Sequence, residues 1–248
     1  MERSGIELFT ARAEKESSFS WREPRMGANK MQHKKLLIFT TAAVLLAGCA
    51  RQGTTVPFAP AETSLYITGE GKVTSATVET YENDYYSADE LKAYAEEVIT
   101  AFNGPSGAIS ADGKEAGAAA SVRECTMESG TAKLLIDFKD AAAYMEFMER
   151  YPDGESSVQI KKLDITTVSD GVTKGYIAGE TFTKLSGKEK QTASDEVMKQ
   201  SKLHVAAVEG PALIQTEGKI QYISSGVAVE GENLVRTPDT GISYIVFK

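Results

Sequence analysis

The spacing of apolar residues changes along this chain, and the changes mark its elements. Ordered structure begins near Leu65. Leu65-Tyr66-Ile67-Thr68 and the stretch 73–81 read as strands, with Gly69-Glu70-Gly71-Lys72 as the turn between them. The period then lengthens. Leu91, Tyr94, Ala95, Val98, Ile99 and Phe102 fall on one face of a helix. Ser87 and Glu90 have capping-box spacing at its start, and Asn103-Gly104-Pro105 ends it. After a Gly-, Ala- and Ser-rich loop over 104–120 the same order recurs. Strands are predicted at 120–128 and 131–139 around the turn Glu128-Ser129-Gly130, with Ala132, Leu134, Ile136 and Phe138 alternating on one face. Asp140 is placed to cap a helix over 141–151 whose stripe is Tyr144, Met145, Met148 and Tyr151, and Pro152-Asp153-Gly154 stops it.

Beyond Gly154 the pattern is mostly β. Strands are predicted at 158–165, 172–185, 203–208, 213–216, 219–224 and 242–247, with a short helix at 194–199 and a polar interruption at 186–190. Turn signals at Asp170-Gly171, Glu209-Gly210-Pro211, Glu217-Gly218 and Glu230-Gly231 predict an antiparallel meander. The fold class is therefore α+β, two strand–strand–helix units followed by a mostly antiparallel β region. No βαβ alternation with a Gly-rich loop occurs, which argues against a doubly wound nucleotide fold.

The first 63 residues follow another logic. Met31-Gln32-His33-Lys34-Lys35 is a short cationic segment, and an apolar run of 12 residues follows at 36–47. A membrane span needs about 20 residues, so this run fits a secretory signal better. It ends in Leu46-Ala47-Gly48-Cys49. That motif resembles the lipobox of bacterial lipoproteins at all four positions. The resemblance covers 31–49 only. It implies cleavage between Gly48 and Cys49 and a diacylglyceryl group on the Cys49 sulfur, with palmitate as an acyl chain. Two acyl chains give stable anchoring where one is marginal. In the family an Asp after the Cys is associated with inner-membrane retention in Gram-negative cells; here the residue is Ala50. The division expected is 1–30 as an upstream extension or disordered leader, with translation starting at Met31 or Met26; 31–48 as signal peptide; 49–63 as a flexible tether marked by Pro57 and Pro60; and 64–248 as an acidic globular region. A candidate subdomain boundary lies between 153 and 194.

Charge sharpens this division. Of 27 Lys+Arg and 35 Asp+Glu, eight and five precede Cys49, which leaves 19 basic and 30 acidic residues, a net of −11. Such a surface disfavours nucleic acid and does not favour lying flat on an anionic membrane. Two cysteines make no disulfide framework. With Cys49 lipidated, Cys125 is a single thiol in a strand, read as a small hydrophobe.

Candidate chemistry is sparse. His204, the one histidine after Cys49, lies in the strand pattern Leu203-His204-Val205 and cannot form a His-rich metal site. Asp239-Thr240-Gly241 matches one aspartic-protease triplet, but those enzymes need two, and Pro238-Asp239-Thr240-Gly241 reads as a β-turn. Glu96-Glu97 and Asp195-Glu196 are neighbours on helices and do not face each other. No P-loop, EF-hand or nucleophile elbow occurs. This leaves no catalytic residue, no metal ligand and no cofactor. The remaining candidate ligand-binding residues are Tyr81, Tyr85 and Tyr86, aromatics beside acids at a strand–helix junction that suit a sugar or a cationic peptide. The sequence therefore reads as a lipid-anchored extracytoplasmic lipoprotein at the cell membrane. It points to a non-enzymatic binding or envelope-assembly module whose partner is an envelope protein, peptide or glycan. The alternatives are a carboxylate-dependent envelope hydrolase and, lower, the solute-binding component of an importer, for which about 185 ordered residues are few around two lobes.

Overall fold

The computed structural model describes residues 57–81, 87–105, 117–154, 156–185 and 190–248. Among them the chain forms helices and two mostly antiparallel sheets, an α+β fold. The first hairpin, β1 (Ser64–Ile67) and β2 (Val73–Thr80), turns through Thr68, whose backbone exchanges hydrogen bonds with Gly71 and Lys72. Helix α1 (Ala88–Asn103) starts where the pattern places it: the Ser87 hydroxyl accepts from the Glu90 N–H, and Leu91, Ala95, Ile99 and Phe102 are its buried stripe. Strands β3 (Ala120–Glu128) and β4 (Thr131–Phe138) join through Ser129 and Gly130, both at positive φ, as a two-residue hairpin requires. Asp140 caps α2 (Ala141–Arg150) by accepting from the Ala143 N–H. The buried face of α2 is Ala141, Ala143, Tyr144 and Phe147, with Met145, Met148 and Tyr151 packed at its margin. Phe147 meets Phe102 and Phe138 with ring centroids 5.3 Å apart, so the aromatics of both helices and β4 share one core.

The second half departs from the meander. After β5 (Lys162–Thr167) the chain enters a short helix, α3 (Val168–Thr173), where the sequence predicts a turn and then one long strand over 172–185. Two local causes outweigh the β-branched pattern. The Thr167 hydroxyl accepts from the Asp170 N–H and caps a helix. Gly171, without a Cβ, lets that helix lie on the strand that carries Val205, because a Cβ there would stand 2.7 Å from the Val205 side chain. The strand resumes only at β6 (Thr181–Lys184), which pairs with β7 (Lys190–Ala193). The short helix α4 (Ser194–Met198) then leads to β8 (His204–Glu209).

From β8 onward the chain alternates between sheets. Strand β9 (Ala212–Thr216) pairs in parallel with β1, β10 (Ile220–Ser224) returns to the other sheet, β11 (Ala228–Val229) and β12 (Leu234–Thr237) rejoin β9, and β13 (Ile242–Phe247) inserts between β8 and β10. Sheet 1 has the order β11-β12-β9-β1-β2-β4-β3, and sheet 2 has β5-β8-β13-β10-β6-β7. A cut anywhere between 153 and 194 leaves β9, β11 and β12 hydrogen-bonded into the sheet of β1–β4.

Sheet 2 is buried on both faces. Ala206, Val208, Ile245 and Phe247 face the large core shared with sheet 1, α1 and α2. Val205, Ala207, Tyr244 and Val246 face a second core closed by Val168, Ile177 and Val197. That explains the unbroken apolar runs of β8 and β13, where period-two alternation would mark a sheet with one wet face.

Candidate functional site

Gly48, Cys49, Tyr85 and Tyr86 lie outside the described residues. Tyr81 is half-buried, and its side chain packs on a small cluster with Leu91, Ala132, Cys125 and Met127 under α1. Its backbone N–H donates to the Gly130 carbonyl at 2.9 Å. The Cys125 thiol donates to the Ala88 carbonyl at 3.6 Å, and burial pushes its pKa up, away from a reactive thiolate. Asp239 and Thr240 sit in the turn between β12 and β13, with Gly241 at φ 82°. Glu196 is occupied by Lys184 at 2.6 Å and by the Thr192 hydroxyl at 2.7 Å, and these hydrogen bonds pull its carboxyl down to about 2. Among the described residues no three His, Cys, Asp or Glu side chains are grouped to hold a metal, and no helix is long and apolar enough to cross a membrane.

His204 stands at the rim of the large core. Its ring lies 5.7 Å from that of Phe247, and its buried Nδ1 has no hydrogen-bond partner. On its other side is Gly69 of the β1–β2 turn, whose N–H donates to Glu217 Oε2 at 3.1 Å. A Cβ on Gly69 would stand 2.6 Å from His204 Nε2. Gly69→Ala is therefore expected to destabilise the fold by about 1–3 kcal/mol, the usual range for overpacking. Added to a His204→Ala background, it should cost much less. Urea titrations of the two single variants and the double variant measure that coupling, and strict additivity would show that the two residues do not collide.

The convergent polar groups are elsewhere, on the face of sheet 1 turned away from the large core. Strand register places Gln215, Tyr66, Thr74, Asp137 and Ser121 side by side in one row across β9, β1, β2, β4 and β3. At Arg123 the register of β3 slips by one residue, a bulge that turns this side chain towards Asp137. The Asp137 carboxylate accepts from Arg123 Nε at 2.9 Å, from Arg123 Nη2 at 2.8 Å and from the Thr74 hydroxyl at 2.7 Å. This two-pronged pairing holds the guanidinium in one orientation. Tyr66, Thr74, Asp137 and Ser121 of this row floor a cavity of about 250 Å³ with Lys72 and Lys139 on its rim. Lys72 pairs with Glu70 at 2.8 Å, whereas Lys139 is exposed and has no ion pair among the described residues. Burial, then the nearby Glu217 charge, raises the Tyr66 phenol, so it stays a neutral donor. The Thr74 hydroxyl is committed to Asp137, whose carboxylate is already paired with the Arg123 guanidinium. The arrangement presents cationic donors and an aromatic wall, which suits binding an anion.

Residues 57–63 lie beside this cavity. Phe58 stacks on Tyr66 with ring centroids 5.3 Å apart, and the Pro57 carbonyl accepts from Gln215 Nε2 at 3.3 Å. Glu62 meets Arg236 at 3.2 Å, and the Thr63 hydroxyl both accepts from the Val78 N–H and donates to the Val78 carbonyl. Sequence reasoning missed this site. Tyr66, Thr74, Arg123 and Asp137 share no local spacing, and only strand register assembles them. Compared with protein families, curated proteins and solved structures, the chain matches none of them.

Proposed function

We propose that this protein is a lipid-anchored extracytoplasmic lipoprotein that binds a partner in the cell envelope rather than catalysing a reaction. The observation that carries the reading is Leu46-Ala47-Gly48-Cys49 at the end of a 12-residue apolar run behind Lys34 and Lys35. Cys49 takes the lipid after cleavage behind Gly48. The anchored partner surface is an acidic domain, and the partner is an envelope protein, peptide or glycan. Two strand–strand–helix units form its first half, and the second of them carries Arg123 and Asp137.

The test is a Cys49→Ser chain expressed in bacteria fed an alkyne-bearing palmitate. Label is expected on the parent protein and absent from the variant, and the mature parent is expected to begin at an acylated residue 49. Label retained by the variant, or an unmodified amino terminus at another position, would overturn the reading.

A further inference from the structure

We infer that the cavity floored by Tyr66, Thr74 and Asp137 is held at the membrane surface and takes the phosphate of an anionic lipid headgroup. This rests on the lipid anchoring at Cys49 proposed above. Pro57 is hydrogen-bonded to Gln215, and Gln215 is one strand from Tyr66 and two from Thr74. With strands about 4.8 Å apart, the start of the seated segment lies within roughly 10 Å of the cavity. Eight residue steps separate Cys49 from Pro57, and a chain of that length spans at most about 28 Å. The lipid therefore enters the fold on the cavity side of sheet 1, while α3 and α4 cover the far side of sheet 2.

The charge on this side runs against the rest of the molecule. The mature chain is acidic, yet the cavity is lined by Lys72, Arg123 and Lys139 against one carboxylate, Asp137. Asp137 is held by Arg123 and Thr74, and Glu70 pairs with Lys72, whereas Glu217 accepts from the Gly69 N–H and keeps its charge beside Tyr66. The cationic donors left to a ligand are Lys139, the remaining guanidinium N–H groups and the rim ammonium of Lys72. Such a site is weak for free phosphate, since few of its charges are unpaired. Tethering converts weak binding into an intramolecular event at high effective concentration, and a headgroup at the foot of the anchor is present at such a concentration. Net charge alone argues against contact with an anionic bilayer; on this face Lys72, Arg123 and Lys139 balance Glu70, Asp137 and Glu217, so the general repulsion is absent there.

Lysine footprinting of the mature lipidated protein tests this. The protein is reconstituted in vesicles of phosphatidylcholine alone or mixed with phosphatidylglycerol, acetylated briefly and read by mass spectrometry. Lys72 and Lys139 are expected to lose several-fold in reactivity on the phosphatidylglycerol vesicles only. Lys162 and Lys174, which lie against the Tyr176 ring just after α3, should be unchanged. A Lys139→Glu chain that unfolds at the same urea concentration should lose the protection of Lys72. Unprotected Lys72 and Lys139 on phosphatidylglycerol vesicles with which the protein still floats would overturn the inference and leave the anchoring intact. Equal protection by soluble glycerol phosphate on phosphatidylcholine vesicles would overturn it in favour of a free-phosphate site. Protein that does not float with either vesicle would sink the anchoring reading and this inference with it.

Discussion

Replacing Gly210 with alanine is expected to cost more than about 3 kcal/mol of stability, among the larger losses seen for a single methyl group. Gly210 links β8 to β9, where the chain passes from one sheet to the other. Its φ is 106°, a backbone region that disfavours a Cβ. That Cβ would stand 2.1 Å from the Gln159 carbonyl oxygen and 3.1 Å from its carbon, and neither is a flexible side-chain tip that could move aside. Relief requires parting the segment 158–160 from the crossover, where Gln159 N–H donates to the Pro211 carbonyl at 2.9 Å. The Gly210 carbonyl also accepts from the buried Thr237 hydroxyl at 2.7 Å, which ties the crossover to β12. Gly241→Ala separates the two causes. Gly241 has a φ of 82° with nothing within 4 Å of the added methyl, so it reports the backbone cost alone, about 1–2 kcal/mol. Urea midpoints of the two variants should differ clearly, and equal losses would show that the clash at Gln159 relaxes freely.

Phe247→Ala is expected to cost about 3–5 kcal/mol, the range for emptying a buried aromatic site. Phe247 is fully buried in the large core, on a strand flanked by β8 and β10. Its backbone partners are His204 and Ile220, so the surrounding main chain is fixed by two ladders and cannot close over the void. Against a typical total of 5–15 kcal/mol, that loss brings the domain near the edge of folding. The readout is the denaturant midpoint at unchanged m-value; a shift worth less than about 1 kcal/mol would mean the site collapses onto His204.

What was legible in the sequence was local. Ser87 and Asp140 cap the helices they were expected to cap, because a cap is set by a side chain and the N–H three residues on. Strand β4 was readable from its alternation, and the Ser129-Gly130 turn from its composition. The stretch 172–185 misled for a physical reason. Val172, Tyr176 and Ile177 have strand-like side chains, but they close the second core as a helix end and a plug, a role set by packing rather than propensity. Strand β11 passed unseen because two residues are too few to show a period, and the four-residue β12 passed unseen with it. The parallel pairing of β1 with β9 left no local trace, and neither did the cavity on sheet 1. Its four central side chains come from β1, β2, β3 and β4, and one of them reaches the site only through a bulge. The proposed anchor rests on contiguous residues, Leu46-Ala47-Gly48-Cys49, which is why a sequence alone can suggest it.

The seating of residues 57–63 has a consequence in time. Pro57 is held by Gln215 and Glu62 by Arg236, partners 158 and 174 residues downstream. Closing loops of that length carries an entropic cost that only a nearly complete set of tertiary contacts offsets. Under the anchoring proposed above, the domain is not fixed relative to residues 57–63 until sheet 1 has received β9 and β12. The domain acquires its orientation last, and a molecule whose anchor-proximal segment is locked down is one that has finished folding.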